Sequence, residues 1–171
     1  MKRPDLFLVL LLVPMLVLAK APSQAPRQNA VASGHFLATQ AGHKILAQGG
    51  NAFDAAIAVS ATLSVVEPIS SGIGGGGLFL LRQAGTGRDV MIDARETAPH
   101  SATPDKFLDA GGQLDRDKSV NGPLSAGIPG LPAALVHLAR NYGRLPLKQS
   151  LAPAIGIARH GFEIYPRLET G

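Results

Sequence analysis

Arg95 is the residue of this sequence best placed to do chemistry, because it ends an apolar run, Asp89–Arg95, that predicts a β-strand. A guanidinium held at the end of a rigid strand can bind a carboxylate through two parallel hydrogen bonds. Two carboxylates of the chain itself, Asp93 and Glu96, lie beside it. Spacing alone favours the plainer interpretation, in which Arg95 only pairs with Asp93 or Glu96, and both interpretations stay open at this point.

A second candidate is the glycine run over residues 72–77, in which Gly72, Gly74 and Gly77 satisfy the G-x-G-x-x-G pattern of dinucleotide sites. Such a site needs a strand before the glycines and a helix after them, so that backbone N–H groups face the pyrophosphate. Here a helix is predicted before the run and a strand after it, and no Gly-Lys-Ser/Thr closes a P-loop. We therefore expect the glycines to let the chain turn and pass close to another backbone or to a ligand.

Composition excludes several other classes of site. The 171 residues include no cysteine, so the chain has no disulfide framework, no Cys-based zinc site and no thiol nucleophile. The five histidines are scattered, and we expect them at the surface or at helix caps rather than on a metal. The 16 Lys and Arg residues are spread evenly, with only six Phe and two Tyr among them, which argues against nucleic-acid binding.

The N-terminal segment predicts export. A short basic lead precedes the uncharged run Leu6–Ala19, and small residues follow in A-x-A register at residues 19–21. This run is too short for a confident spanning helix, which needs about 20 residues, but it suits a signal peptide at residues 1–21. A polar, proline-rich linker follows at residues 22–29. We expect a periplasmic or secreted protein that meets the membrane only transiently, with an uncleaved anchor as the alternative.

Residues 30–171 are expected to form the folded part. Apolar residues make up 46% of the whole sequence and charged residues 16%, which excludes a disordered chain. Hydrophobic spacing and cap residues predict the order helix, helix, β-hairpin, strand, helix, helix, and hence an α/β (α+β layered) domain with a surface excursion at residues 101–123. The predicted elements are a short strand at Val31–Ser33 that ends in a helix cap, helices at Gly34–Gln48 and Ala52–Val66, a hairpin of Leu78–Arg82 with Asp89–Arg95, a small-residue strand or strand end at Leu124–Gly130, and helices at Pro132–Tyr142 and Leu147–His160.

Several segments of the chain form a recognisable set. The two most specific are G-G-N-A-x-D-A-A at residues 49–56 and D-x-R-E-x-A-P at residues 93–99. Shorter segments of the set lie at residues 31–33, 71–76, 127–130 and 153–155. Taken together and in order, these segments resemble the N-terminal part of the γ-glutamyltranspeptidase (glutathione hydrolase) family. The resemblance runs from about residue 30 to about residue 165 and agrees with the export predicted from the N-terminus.

The resemblance implies an N-terminal-nucleophile hydrolase, of which this chain would form a partial αββα sandwich. Enzymes of this family cut their own chain to expose a threonine, whose hydroxyl attacks a γ-glutamyl amide with its own α-amino group as base. The γ-glutamyl group of glutathione or a related compound then passes to water or to an amino acid. The family's arginine in D-x-R-E-x-A-P, which falls on Arg95, binds the substrate α-carboxylate, and no metal or organic cofactor is implied.

The resemblance also implies that the nucleophile lies outside this chain. In the family the threonine belongs to a small subunit far downstream, so residues 30–171 correspond to a truncated N-terminal portion that needs a downstream small-subunit segment as its partner. None of the six threonines lies in a T-T-H-type segment; they are Thr39, Thr62, Thr86, Thr97, Thr103 and Thr170. The alternative is a non-catalytic remnant of such an enzyme, and the preferred donor, the acceptor and acylase-like substrates stay open.

Overall fold

The computed structural model describes residues 29–170, so the predicted signal peptide at residues 1–21 and nearly all of the predicted linker lie outside the described residues. The helices within this range are α1 (Phe36–Ala47), α2 (Ala52–Val66), α3 (Arg116–Val120), α4 (Leu131–Asn141), α5 (Leu147–His160) and α6 (Pro166–Glu169). The strands are β1 (Leu78–Gln83) and β2 (Arg88–Asp93), and single 3-10 turns lie at Pro104–Phe107 and Pro123–Ser125. None of the helices in residues 29–170 is long and apolar enough to cross a membrane.

Helix α1 begins at a different cap from the predicted one. His35, not Ser33, accepts the N–H of Leu37 through its Nδ1 atom at 3.2 Å. The Ser33 hydroxyl instead lies 2.8 Å from Thr39 Oγ1 and 2.9 Å from the carbonyl oxygen of His35. The strand predicted at Val31–Ser33 is wrong, because no strand of the described residues pairs with this segment.

The end of α1 and both ends of α2 lie where the cap residues and the proline of the sequence predict them. Gly49, with φ of 92°, closes α1, and the N–H of Gly50 reaches back to the carbonyl of Ile45 at 3.0 Å. Helix α2 has the predicted bounds because Asn51 and Asp54 form a capping box at its start and Glu67-Pro68 ends it.

Helix α2 is the centre of the core. Its small residues let it pack against α1 on one side and against α4 and α5 on others, which confirms the close approach expected from its alanines and serines. One buried cluster joins α1 and α2 through Ala41, Ile45 and Ala58. The larger cluster joins α2 to β1, α4 and α5 and comprises Ile57, Ala61, Leu81, Leu131, Leu135, Leu138 and Ala154.

Strands β1 and β2 form the predicted antiparallel hairpin, with Leu78 opposite Asp93 and the turn closed at Gly87. Its inner face packs Phe79, Leu81, Val90 and Ile92 against the larger cluster. Its outer face exposes Leu78, Leu80 and Met91. The described residues therefore form a helical layer covered on one side by a single hairpin, a mixed and only partly layered arrangement of helices and strands.

Two predictions of strand length are wrong. Strand β2 ends at Asp93 rather than Arg95, and the Asp93 carboxylate accepts the N–H of Arg95 at 2.9 Å. The segment Leu124–Gly130, predicted as a strand or strand end, is instead a 3-10 turn followed by one isolated bridge, in which Ile128 and Thr97 exchange both backbone hydrogen bonds. Residues 101–123 form the expected surface excursion, mostly exposed, with α3 inside it.

Candidate active site

A cleft of about 560 Å³ lies where the C-terminal end of α2, the glycine run and the start of β1 meet. Ser60 and Ser64 of α2 line this cleft, and so do Arg95 and Glu96. Leu63, Phe79 and Leu131 contribute apolar lining. The cleft thus joins one guanidinium, one carboxylate, several hydroxyls and an apolar surface.

The backbone around Arg95 is clamped between two glycine-containing segments. A Cβ atom on Gly76 or on Gly130 would collide with the carbonyl oxygen of Ala94. Gly77 and Ala94 exchange both backbone hydrogen bonds, at 3.1 and 2.9 Å, which extends the pairing of the hairpin by one residue. These contacts confirm that the glycines serve close passage of another backbone, and they fix the position from which Arg95 leaves the main chain.

Arg95 itself is mostly open to solvent, with 67% of its side chain exposed. Its Nε atom lies 3.5 Å from Glu96 Oε2, so the pairing expected from spacing alone does form with Glu96. Asp93 meets only the backbone N–H of Arg95. A guanidinium that is paired at one edge, exposed and set in the wall of a cleft remains free to bind a second anion.

The rim of the cleft is braced by the C-terminal end of the described chain. Tyr165 donates a hydrogen bond to the carbonyl oxygen of Val66 at 2.9 Å, and Arg167 Nη2 donates to Ser70 Oγ at 3.1 Å. Burial, followed by the nearby carboxylate of Glu67, raises the pKa of the Tyr165 hydroxyl above 10.0. Tyr165 therefore stays a hydrogen-bond donor at neutral pH and joins the C-terminal segment to the end of α2.

No threonine lines this cleft within residues 29–170. Thr62 is buried in α2, Thr97 belongs to the isolated bridge with Ile128, and Thr39 lies on α1 beside Ser33. His35 caps a helix, as its residue type suggested. In the described range there is also no group of three or more His, Asp or Glu side chains that could hold a metal ion.

Sequence reasoning singled out Arg95 but gave Glu96 no role of its own in the cleft. Glu96 was visible only as a neighbour of Arg95, whereas its place between the glycine run and Gly127 depends on contacts distant in sequence. The packing of Gly130 on Ala94 was likewise not foreseeable from a pattern. The signal available was the D-x-R-E-x-A-P segment as a whole.

Comparison with known proteins identifies the family. The sequence model described as gamma-glutamyltranspeptidase matches residues 38–170. The chain belongs to the γ-glutamyltranspeptidase family. It is 44% identical over 136 residues to a glutathione hydrolase proenzyme of Escherichia coli strain K12, a match that covers 80% of this chain and 23% of the relative.

Two further proteins are also similar to this chain. A crystal structure of Helicobacter pylori γ-glutamyltranspeptidase superposes with a TM-score of 0.80 at 40% identity, covering 87% of this chain and 43% of that one. An acylase ACY 1 proenzyme of Pseudomonas sp. strain V22 is 42% identical over 155 residues, covering 87% of this chain and 27% of the relative. The chain therefore spans about a quarter of the length of the curated relatives it matches, and those relatives are enzymes.

Proposed function

We propose that this chain supplies the α-carboxylate-binding part of an enzyme that transfers γ-glutamyl groups from glutathione or a related amide to water or to an amino acid. The observation that carries the proposal is Arg95, exposed in the wall of the cleft and fixed at its backbone by the contacts of Ala94. Membership of the γ-glutamyltranspeptidase family supports the substrate class.

The chemistry divides between this chain and a partner segment. The guanidinium of Arg95 binds the planar α-carboxylate of the γ-glutamyl group and orients the donor in the cleft. The nucleophile is a threonine in a small-subunit segment downstream of this chain, and its α-amino group takes the hydroxyl proton as the hydroxyl attacks the γ-carbonyl carbon. The proposal involves no metal and no organic cofactor. Support for a downstream segment comes from the relatives, which are described as proenzymes and are several times longer.

The proposed location is the periplasm or the cell exterior. Residues 1–21 have the basic lead, the uncharged run and the small-residue exit of a signal peptide. Contact with the membrane would then be limited to export, and residues 22–29 would form a linker to the folded part.

A fusion enzyme tests the proposal. In it, the full 171-residue chain is joined to the part of the Escherichia coli glutathione hydrolase proenzyme that follows the matched segment. We expect the fusion enzyme to cleave itself and to hydrolyse a γ-glutamyl anilide, and we expect the 171-residue chain alone to do neither. A fusion enzyme that cleaves itself but leaves the anilide intact would overturn the proposal, as would turnover by the chain alone.

The similarity to an acylase proenzyme favours one second candidate, an acylase that does not require a γ-glutamyl group. The same fusion enzyme separates the two. A 4-aminobutyryl anilide has the amide and the amino group of the γ-glutamyl donor but lacks its α-carboxylate, so Arg95 has nothing to bind. Equal turnover of the two donors would favour the acylase, whereas a strong preference for the γ-glutamyl donor supports the transferase.

A further inference from the structure

We infer that Glu96 is a positioning residue, which holds the Arg95 guanidinium by its Nε edge and leaves the two Nη groups directed at the substrate carboxylate. The inference rests on the proposed function, because it concerns how the carboxylate-binding arginine is oriented. The contact that carries it is the 3.5 Å approach of Glu96 Oε2 to Arg95 Nε.

The side chain of Glu96 is more enclosed than that of the arginine it contacts. Only 32% of its side chain is exposed, against 67% for Arg95. Its Oε1 atom faces the glycine run, where a Cβ on Gly75 would lie 3.3 Å away. On the other side, a Cβ on Gly127 would lie 3.0 Å from the Cβ of Glu96. The Glu96 side chain therefore passes between two backbone segments, with its Cβ beside Gly127, one carboxylate oxygen toward the glycine run and the other toward Arg95.

The backbone beside Glu96 is fixed as well. Thr97 and Ile128 exchange both backbone hydrogen bonds, at 3.2 and 2.8 Å, directly after Glu96. Leu131 donates its N–H to the carbonyl of Gly75 at 3.1 Å and so joins the segment after Gly127 to the glycine run. Glu96 is consequently a rigid reference point for a long, otherwise mobile side chain.

The value of such a contact lies in orientation rather than in stability. A partly exposed ion pair adds little to the free energy of folding. A free arginine side chain, in contrast, samples many rotamers that must be given up when it binds a carboxylate in a planar fork. The ion pair with Glu96 keeps the Nε side of Arg95 near that carboxylate and so restricts the rotamers of the side chain, while the Nη edge remains available to a second carboxylate.

Charge works against this arrangement in one respect. The Glu96 carboxylate repels an incoming carboxylate, and if that repulsion outweighed the orientation of Arg95, removing the charge would improve binding. Removing the charge of Glu96 raises KM if the orientation of Arg95 dominates, and lowers KM if the repulsion dominates. The direction of the change in KM on substitution therefore decides between them.

The kinetic test compares Glu96→Gln with Asp93→Asn in the fusion enzyme. Glu96→Gln keeps the shape of the side chain and removes its charge, and Asp93→Asn removes a charge at a similar position while keeping an oxygen for the Arg95 N–H. We expect Glu96→Gln to raise KM for the γ-glutamyl anilide about two- to five-fold with little change in kcat. Asp93→Asn should leave KM nearly unchanged, and Glu96→Asp, one methylene shorter, should fall between Glu96→Gln and the wild type.

A merely structural role for Glu96 would give a different result. It would lower self-cleavage and activity on all donors alike, whereas a positioning role leaves self-cleavage and the turnover of 4-aminobutyryl anilide unchanged. An unchanged or lowered KM in Glu96→Gln would overturn the inference even though the fusion enzyme is active.

A spectroscopic readout separates failure of this inference from failure of the proposed function. In the fusion enzyme labelled with nitrogen-15, the Nε–H resonance of Arg95 should shift in Glu96→Gln and stay in place in Asp93→Asn. If the wild-type fusion enzyme turns over no γ-glutamyl donor, the proposed function fails while this shift still reports whether Glu96 holds Arg95. An Nε–H resonance that does not respond to Glu96→Gln would refute the contact itself.

Discussion

The backbone N–H of Arg144 donates to both carboxylate oxygens of Asp54, at 3.2 and 2.9 Å, across 90 residues of sequence. The N–H groups of Asn51 and Leu145 donate to the same carboxylate, and no part of Asp54 is exposed to solvent. A buried carboxylate is tolerated when several donors surround it. Asp54 thus fastens the start of α2 to the connection between α4 and α5, and the G-G-N-A-x-D-A-A segment serves the fold rather than the cleft.

Replacement of Asp54 should therefore weaken the fold strongly. Asp54→Ala leaves three partly buried N–H groups without their acceptor, and we expect the free energy of unfolding to fall by about 3 kcal/mol. Asp89→Asn is the matched control, because Asp89 forms an exposed ion pair with Arg82 at 3.0 Å; its effect should stay within about 0.5 kcal/mol. Urea denaturation followed by circular dichroism measures both. Equal effects of the two substitutions would show that Asp54 does not have the structural role assigned to it.

Thr62 offers the opposite case, a buried polar group that the fold does not need. Its hydroxyl is fully buried in α2 and has no hydrogen-bond partner among residues 29–170. Thr62→Val removes the cost of burying that hydroxyl, so we expect stability to be unchanged or raised by up to about 1 kcal/mol. Thr39→Val, which removes a hydroxyl 2.8 Å from Ser33 Oγ, should lower stability instead. A clear loss in Thr62→Val under the same denaturation assay would contradict this account.

The exposed outer face of the hairpin should make the chain bind apolar molecules or associate with itself in solution. Leu80 is 74% exposed and Met91 is 59% exposed on the face opposite the core, and contiguous exposed apolar side chains promote association. We expect the 171-residue chain to bind a hydrophobic dye strongly or to aggregate, and we expect Leu80→Thr with Met91→Thr to reduce both. Leu81→Thr on the inner face should instead lower the free energy of unfolding by about 2 kcal/mol or more. A monodisperse wild-type monomer without dye binding would show this prediction to be wrong.

The parts of the fold that the sequence predicted well are those set by local chemistry. Asn51 with Asp54 defines the start of α2, Pro68 its end, and Gly161 the end of α5, and all three are visible within a few residues of sequence. The strand predictions at Val31–Ser33 and Leu124–Gly130 are wrong because a strand requires continuous backbone pairing, which a pattern does not reveal. Within residues 29–170, Val31–Ser33 pairs with no strand, and Leu124–Gly130 pairs through a single bridge between Ile128 and Thr97.

The contacts of the candidate site also differ in whether the sequence could predict them. The pairing of Arg95 with Glu96 follows from adjacency and was foreseeable. The contacts of Gly76 and Gly130 with Ala94 were not, because they bring together three segments that are distant in sequence. The assignment of Arg95 to a substrate carboxylate came from the resemblance of a whole segment and not from spacing, and it stays a prediction.

Tyr165 should make the stability of the fold depend on pH in the alkaline range. Its pKa is raised above 10.0 by burial and by the Glu67 carboxylate, so the folded state favours the neutral hydroxyl more than the unfolded state does. The stabilisation is fully present below pH 10.0 and is lost as the pH rises through the folded-state pKa. Wild type should thus exceed Tyr165→Phe in stability near neutral pH, and this difference should shrink in strong alkali. Urea midpoints of the two proteins, measured near neutral pH and in strong alkali, test this prediction. A difference between the two proteins that does not vary with pH would show that ionisation of Tyr165 does not affect stability.

Arg95→Ala in the fusion enzyme tests the site itself. A hydrogen bond to a charged group contributes about 1.5–3 kcal/mol, and leaving a substrate carboxylate buried without a partner raises the loss to about 2–5 kcal/mol. We therefore expect kcat/KM for the γ-glutamyl anilide to fall by about ten-fold to several thousand-fold. Arg95→Lys should recover only part of the loss, because an ammonium cannot reproduce the planar two-donor fork.

The control for Arg95 is the donor without an α-carboxylate. On 4-aminobutyryl anilide the wild-type fusion enzyme and Arg95→Ala should perform alike, because the contact under test is absent from both reactions. Self-cleavage should also be unaffected, since Arg95 is mostly exposed and its ion pair with Glu96 adds little to folding. If Arg95→Ala instead loses activity equally on both donors, or loses self-cleavage, then Arg95 serves the structure as the partner of Glu96 and does not bind the substrate.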